Sequence, residues 1–183
     1  MSKDFSPDRL DVKAFAQAGA RLAGTDPLSM FTRLVEEAQG PVDAAVVQWQ
    51  AEGEWQTETG GDGHVWLHLQ VRGQLPMVCQ RCLQLADIPL DVERSFCFVK
   101  DEATAEALDE ELEEDVLVLS REFDLRALVE DELLMELPVV PMHEHCPGDV
   151  PMQSSDDDFE SANTQKPHPF AALAGLRKPG GAR

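Results

Sequence analysis

The chain predicts an α+β fold, a mainly antiparallel β-sheet carrying N-terminal helices and one later helix, and three observations support it. Apolar residues repeat with period two in three runs between Ala45 and Val99, the spacing of strands with one buried face. The turn-like stretch Thr57–Gly63 joins the first two runs as a hairpin, and its second face is polar, as antiparallel sheets commonly are. Helical spacing appears before these runs and again after Asp124. At 183 residues, 43% hydrophobic and 27% charged, the chain is too apolar for wholesale disorder and long enough for one domain plus a tail.

Taken in order, Val12–Leu22 with Phe15, Ala16 and Ala20 predicts a short helix that stops near Gly24. In Leu28–Gln39, Met30, Phe31, Leu34, Val35 and Ala38 recur at helical spacing. Asp26 suits the N-cap of that helix, Pro27 its first position, and Gly40 follows its end. Both helices are expected to cover the sheet.

Ala45, Val47, Trp49, Ala51 and Trp55 then share one strand face, opposite Gln48, Gln50, Glu52, Glu54 and Gln56. Val65, Leu67, Leu69 and Val71 alternate with His64, Trp66, His68, Gln70 and Arg72. The third run, Ile88–Val99, sets Ile88, Leu90, Val92, Phe96 and Phe98 on one side, and Pro89 makes its start an edge or an irregular entry. A short helix over Asp101–Leu108, an acidic loop or helix end over Asp109–Asp115 and a short strand over Val116–Leu119 follow. Asp124 caps a helix that runs to about Leu137 with Leu125, Leu128, Val129, Leu133 and Leu134 inward, and Pro138 and Pro141 end it.

The organisation expected is therefore a single domain over 1–146, a flexible linker over 147–165 and a basic docking segment over 166–183. Asp, Ser, Gly and Gln dominate the linker, whereas the last stretch has four basic residues and no acid. Phe170, Leu173, Ala174 and Arg177 lie at one-turn spacing there, enough for a helix that orders on a partner but too short for a stable free one. No internal repeat is present, no apolar run approaches the ~20 residues of a membrane span, and the acidic start, with Asp4, Asp8 and Asp11, lacks the apolar core of an export signal. Four cysteines in a chain of this length do not make a disulfide scaffold, which points to a reducing cytoplasm.

The charge is lopsided: 35 acidic residues face 15 Lys and Arg, a net of −20. Between Asp101 and Glu136 alone, fifteen acids oppose Arg121 and Arg126. Phosphate backbones are bound by the opposite arrangement, so basic proteins are the better electrostatic partners and contact with RNA is expected to be indirect.

Cys79-Gln-Arg-Cys82, between the second and third strand runs, holds two thiols three positions apart on a tight turn. Such a pair suits adjacent corners of a zinc tetrahedron, and His143-Glu-His145-Cys146 offers the other half. Cys79, Cys82, His145 and Cys146 are thus a candidate structural zinc set. The competing expectation is that these are reduced structural thiols with no cofactor. A thioredoxin-type role needs the first cysteine at a helix N-terminus, which the strand context does not supply. No nucleophile elbow, P-loop or dinucleotide fingerprint occurs. His64 and His68 lie on the polar face of a strand, where a carboxylate partner or plain solvation is expected, and Cys97 among phenylalanines is expected to pack.

Several segments, taken together and in order, resemble the bacterial YceD family, the large ribosomal RNA subunit accumulation proteins. They are Leu75-Pro-Met-Val-Cys79-Gln-Arg-Cys82, Ser95-Phe-Cys-Phe98, Val129-Glu-Asp-Glu-Leu-Leu-Met-Glu-Leu-Pro-Val-Val-Pro141 with His143 and Cys146, and Gln165-Lys-Pro-His-Pro-Phe-Ala-Ala-Leu-Ala-Gly-Leu-Arg177. His168 departs from the asparagine expected there. The resemblance implies a cytoplasmic, non-enzymatic factor needed for normal 23S rRNA accumulation, whose members are often encoded beside a small basic ribosomal protein of the large subunit. It brings no catalytic residues.

The function expected is support of 23S rRNA synthesis, processing or stability through contacts with large-subunit ribosomal proteins or assembly intermediates. Glu110, Glu111, Glu113, Glu114 and Asp115 are the candidate partner-binding acids, and Phe170, Leu173 and Leu176 the candidate docking residues of the tail. The alternative is a metal-dependent nuclease that uses the same acidic cluster to hold Mg²⁺.

Overall fold

The computed structural model describes residues 5–57, 63–109 and 111–148. Glu110 and all of 149–183, including Phe170, Leu173 and Leu176, lie outside the described residues, and so do most of the expected linker and the docking segment. The elements follow the order α1 (Val12–Gln17), β1 (Arg21–Pro27), α2 (Thr32–Glu37), β2 (Val46–Gln56), β3 (His64–Val78), β4 (Leu85–Val99), α3 (Glu102–Asp109), β5 (Asp115–Val118) and α4 (Leu125–Met135). Five strands form one sheet in the order β1-β2-β3-β4-β5, antiparallel throughout except that β5 lies parallel to β4. The α+β class and the mainly antiparallel sheet are as the periodicity predicts.

The long β3–β4 hairpin is the spine. Val65, Leu67, Val71 and Leu75 stand opposite Phe98, Phe96, Val92 and Ile88 on one face, all buried. Phe15 of α1, Leu34 of α2, and Leu125, Val129 and Leu133 of α4 pack onto that face and complete a continuous core. Burying a leucine or phenylalanine side chain contributes roughly 1.5–3 kcal/mol, so this face carries most of the fold's apolar stabilisation. Pro89 falls where β4 has no strand neighbour on its outer side among the described residues, because β5 pairs only with Phe96–Val99, the edge position where a missing N–H is tolerated.

Three N-terminal expectations are corrected. The helix over Val12–Leu22 ends at Gln17, and Arg21–Pro27 is a strand paired to β2. The helix over Leu28–Gln39 is one turn of 3₁₀ helix, Leu28–Met30, followed by the six-residue α2. Asp26 caps neither: its Oδ2 accepts the Trp49 indole N–H at 2.7 Å and the Arg126 Nε–H at 3.0 Å, while Pro27 closes β1. The cap of α2 arrives instead from α4, whose Glu130 carboxylate accepts the backbone N–H groups of Arg33 at 2.7 Å and Leu34 at 3.3 Å. A carboxylate at a helix start satisfies donors left without intrahelical partners.

The later half follows expectation closely. Asp101 and Asp124 cap α3 and α4 by accepting the N–H groups of Thr104 at 2.9 Å and Ala127 at 3.0 Å. α3 forms the crossover that makes β5 parallel, and it covers the face opposite the main core. Ala105, Leu108 and Leu112 meet Trp66, Cys97, Val99 and Val116 there. One end of the sheet therefore has helices on both sides.

Candidate functional site

β3 ends at Val78 and β4 begins at Leu85, so six residues must reverse the chain. The Cys79 N–H donates to the Gln84 carbonyl at 2.9 Å and the Leu83 N–H to the Cys79 carbonyl at 2.8 Å. Leu83 completes the reversal in the left-handed region at φ 59°, which turns the Cys79 and Cys82 sulfurs toward one point. After α4, Pro138 prevents further helix and the chain runs back across this turn, where the Gln80 N–H donates to the Pro141 carbonyl at 2.9 Å. Arg81 straps the two segments together: Nη2 donates to the His143 carbonyl at 3.1 Å and Nε to Cys146 Sγ at 3.0 Å.

The result is a Cys₃His group of Cys79, Cys82, His143 and Cys146, whose ligand atoms all lie within 4.8 Å of one another. Cys79 is buried and the other three are half-buried. Among the described residues no other set of three or more His, Cys, Asp and Glu converges in this way. The histidine expected in the set was His145, and the structure corrects it to His143. The pair His143-x-x-Cys146 repeats the Cys79-x-x-Cys82 spacing, which aims both side chains of each pair at one centre. His145 is instead exposed beside the site. Burial pushes the Cys79 thiol up, but the N–H groups of His143, Cys82 and Arg81 that point at it outweigh burial and hold it down to about 5. For Cys82 the Gln84 N–H acts downward, and burial with the neighbouring Cys146 and Cys79 sulfurs prevails to raise it.

The acidic residues divide into two kinds. Glu130, Asp131 and Glu132 of α4 are committed internally. Glu130 caps α2, Asp131 pairs with Arg33 at 2.6 Å, and Glu132 is buried facing Arg94 at 3.6 Å. By contrast, Glu111, Glu113, Glu114 and Asp115 are exposed around the α3–β5 turn and make no ion pair with any described residue. Leu112 alone among them turns inward, against the small cluster under α3. These four carboxylates do not converge as cation ligands among the described residues.

Of the two expectations for His68, a carboxylate partner or plain solvation, the structure shows the carboxylate. Its Nε2 lies 2.9 Å from Glu54 Oε2, its Nδ1 lies 2.8 Å from Ser95 Oγ, and its ring stacks parallel to Trp66. Cys97 is buried, as a packing residue should be, and burial followed by the nearby Glu114 charge raises its thiol.

This is a small α+β domain in which three cysteines and a histidine converge at the β3–β4 hairpin tip and Glu111, Glu113, Glu114 and Asp115 cluster near the other end of β4. The family model described as Large ribosomal RNA subunit accumulation protein YceD matches residues 67–177, well over half of the sequence, and the chain belongs to that family. A curated relative with the same description, from Haemophilus influenzae, is 35% identical over 111 residues, which cover 60% of this chain and 63% of the relative. The chain thus spans somewhat less than two thirds of the length of the relative it matches. No solved structure matches significantly. The family match contains the whole Cys₃His group and the acidic turn, and leaves out β1 and β2.

Proposed function

We propose that this chain is a non-enzymatic, cytoplasmic factor that supports synthesis, processing or stability of 23S rRNA during large-subunit assembly. Its acidic surface contacts basic large-subunit proteins or assembly intermediates, and rRNA is engaged through them. Family membership over 67–177 carries this reading, because the family's description names accumulation of the large ribosomal RNA subunit. The charge agrees with it: a chain of net charge −20 attracts Lys/Arg-rich proteins and repels bare phosphate backbones. No helix among the described residues is long and apolar enough to cross a membrane, which is compatible with a cytoplasmic site of action.

Glu110, Glu111, Glu113, Glu114 and Asp115 form the proposed electrostatic contact. Charges this dense repel one another within the ~8 Å screening length of physiological salt, and a basic partner relieves that repulsion. Phe170, Leu173 and Leu176 of the tail add an apolar contact that orders on the partner. The test is affinity for isolated basic large-subunit proteins or assembly intermediates across a salt series. Three proteins suffice: the full chain, a truncation after Gln165, and a variant with Glu110, Glu111, Glu113 and Glu114 changed to Gln. Binding through the acids should weaken steeply with salt, whereas the tail's contribution should resist it. If the Gln variant binds as tightly as the parent at low salt, the acidic contact is wrong. Cleavage of precursor 23S rRNA with Mg²⁺ that disappears in Glu113→Gln, Asp115→Asn would replace this reading with the nuclease alternative.

A further inference from the structure

We infer that Cys79, Cys82, His143 and Cys146 form a structural Zn²⁺ site that fastens the segment after α4 to the β3–β4 turn. The first argument is metric. Zinc bonds of about 2.3 Å to sulfur and about 2.0–2.1 Å to nitrogen give tetrahedron edges of about 3.8 Å between sulfurs and about 3.6 Å between sulfur and nitrogen. Cys79 Sγ lies 3.9 Å from Cys146 Sγ, and Cys82 Sγ lies 3.4 Å from His143 Nδ1. Each of these edges joins a ligand of one segment to a ligand of the other, so the tetrahedron is shared between segments 61 residues apart.

The second argument is the histidine's tautomer. His143 Nε2 lies 2.9 Å from the Leu85 carbonyl, an oxygen that can only accept, so Nε2 carries the ring proton. The lone pair of the neutral ring is then on Nδ1, the atom that lies 3.4 Å from Cys82 Sγ. A carbonyl fixing the ring of a ligating histidine through its other nitrogen is the usual support of a zinc ligand. Charge gives the third argument. Three thiolates and Zn²⁺ sum to −1, and the Arg81 guanidinium donates directly to Cys146 Sγ, which neutralises the centre. Soft sulfur with imidazole selects zinc over hard cations such as Mg²⁺ and Ca²⁺, and four protein ligands leave no open position for catalysis. On binding, the thiols release their remaining protons to solvent.

The site rests on geometry independent of the proposed ribosomal role, and its test does not involve rRNA. The full chain is purified under reducing conditions, supplied with Zn²⁺, desalted and assayed for metal. Co²⁺ substitution then reports ligand identity through thiolate-to-cobalt charge-transfer absorption. One zinc per chain is expected, lost in Cys82→Ser and Cys146→Ser and retained in His145→Ala. Arg81→Gln should weaken binding about 10–100-fold, as loss of an outer partner does. Because the serine variants risk misfolding, His143→Cys provides a gain-of-signal test: it keeps one metal and raises the charge-transfer intensity by about one third, four thiolates replacing three. Less than stoichiometric zinc in the reduced full chain overturns the site. Loss of metal in His145→Ala, or an unchanged cobalt spectrum in His143→Cys, overturns the ligand assignment.

Discussion

Glu132 illustrates how much a single buried carboxylate costs. It sits on α4 with 5% of its surface exposed, and its ion-pair partner Arg94, half-exposed, is 3.6 Å away. Burial pushes its carboxyl up; Arg94 opposes this, and Asp115 and Asp131 reinforce it. A folded-state value above the unfolded one means that Glu132 contributes stability while protonated, below the ordinary carboxylate range, and that this is lost as pH rises through the raised value. Glu132→Gln keeps the shape and removes the charge, so it should raise the urea midpoint at pH 7. The gain should shrink on acidification and vanish well below the ordinary carboxylate value of about 4.3, where Glu132 is neutral folded and unfolded alike. A gain of equal size at pH 4 and pH 7 would mean that ionisation plays no part.

At the scale of elements, close approach decides where helices sit. Gly53 lies on the core face of β2 under α1, and a Cβ added there would stand 2.6 Å from Phe15 Cδ1 and 2.8 Å from the Ala16 backbone. α1 rests on β2 because that position is glycine. Gly53→Ala should cost about 1–3 kcal/mol, the usual penalty of overpacking. Gly73→Ala on β3 is the matched control, since its Cβ would meet Val47 at an ordinary 3.5 Å. Chemical denaturation of both should leave Gly73→Ala within about 0.5 kcal/mol of the parent. β1 obeys the same rule. A Cβ on Gly24 would stand 2.5 Å from the Trp49 indole, so the glycine that looks like a helix stop is in fact the floor of a tryptophan.

For the molecule as a whole, charge is unevenly spent. Glu130 and Asp131 tie α4 to α2 and Asp26 ties β1 to β2 and α4, whereas the exposed acids of the α3–β5 turn lie close enough together to repel one another. The free chain should therefore gain thermal stability as NaCl rises from low to physiological concentrations, because screening relieves repulsion. The variant with Glu110, Glu111, Glu113 and Glu114 changed to Gln should melt higher than the parent at low salt and respond less to NaCl. Equal salt responses in calorimetry would locate the repulsion elsewhere.

What the sequence by itself determined was a set of local patterns from Ala45 onward. Alternation over Ala45–Val99 identified three strands and their buried faces, because side chains on a strand change sides at every residue. Asp124 marked a helix start, because a cap acts on the N–H groups two or three residues ahead. The Cys79–Cys82 turn was legible for the same reason, as a spacing within four residues. Tertiary structure decided the matters in which distant segments meet. Asp26 is a plausible cap until Trp49 and Arg126 claim its carboxylate, and Arg21–Pro27 becomes a strand only because β2 offers an edge to pair with. The choice of His143 over His145 depends on where Pro141 lays the chain across Gln80 and on the Leu85 carbonyl that turns the imidazole. Propensity and periodicity act over a few residues, whereas a four-ligand centre requires two chain segments to converge within a few ångströms, and only the folded path of the backbone brings them there.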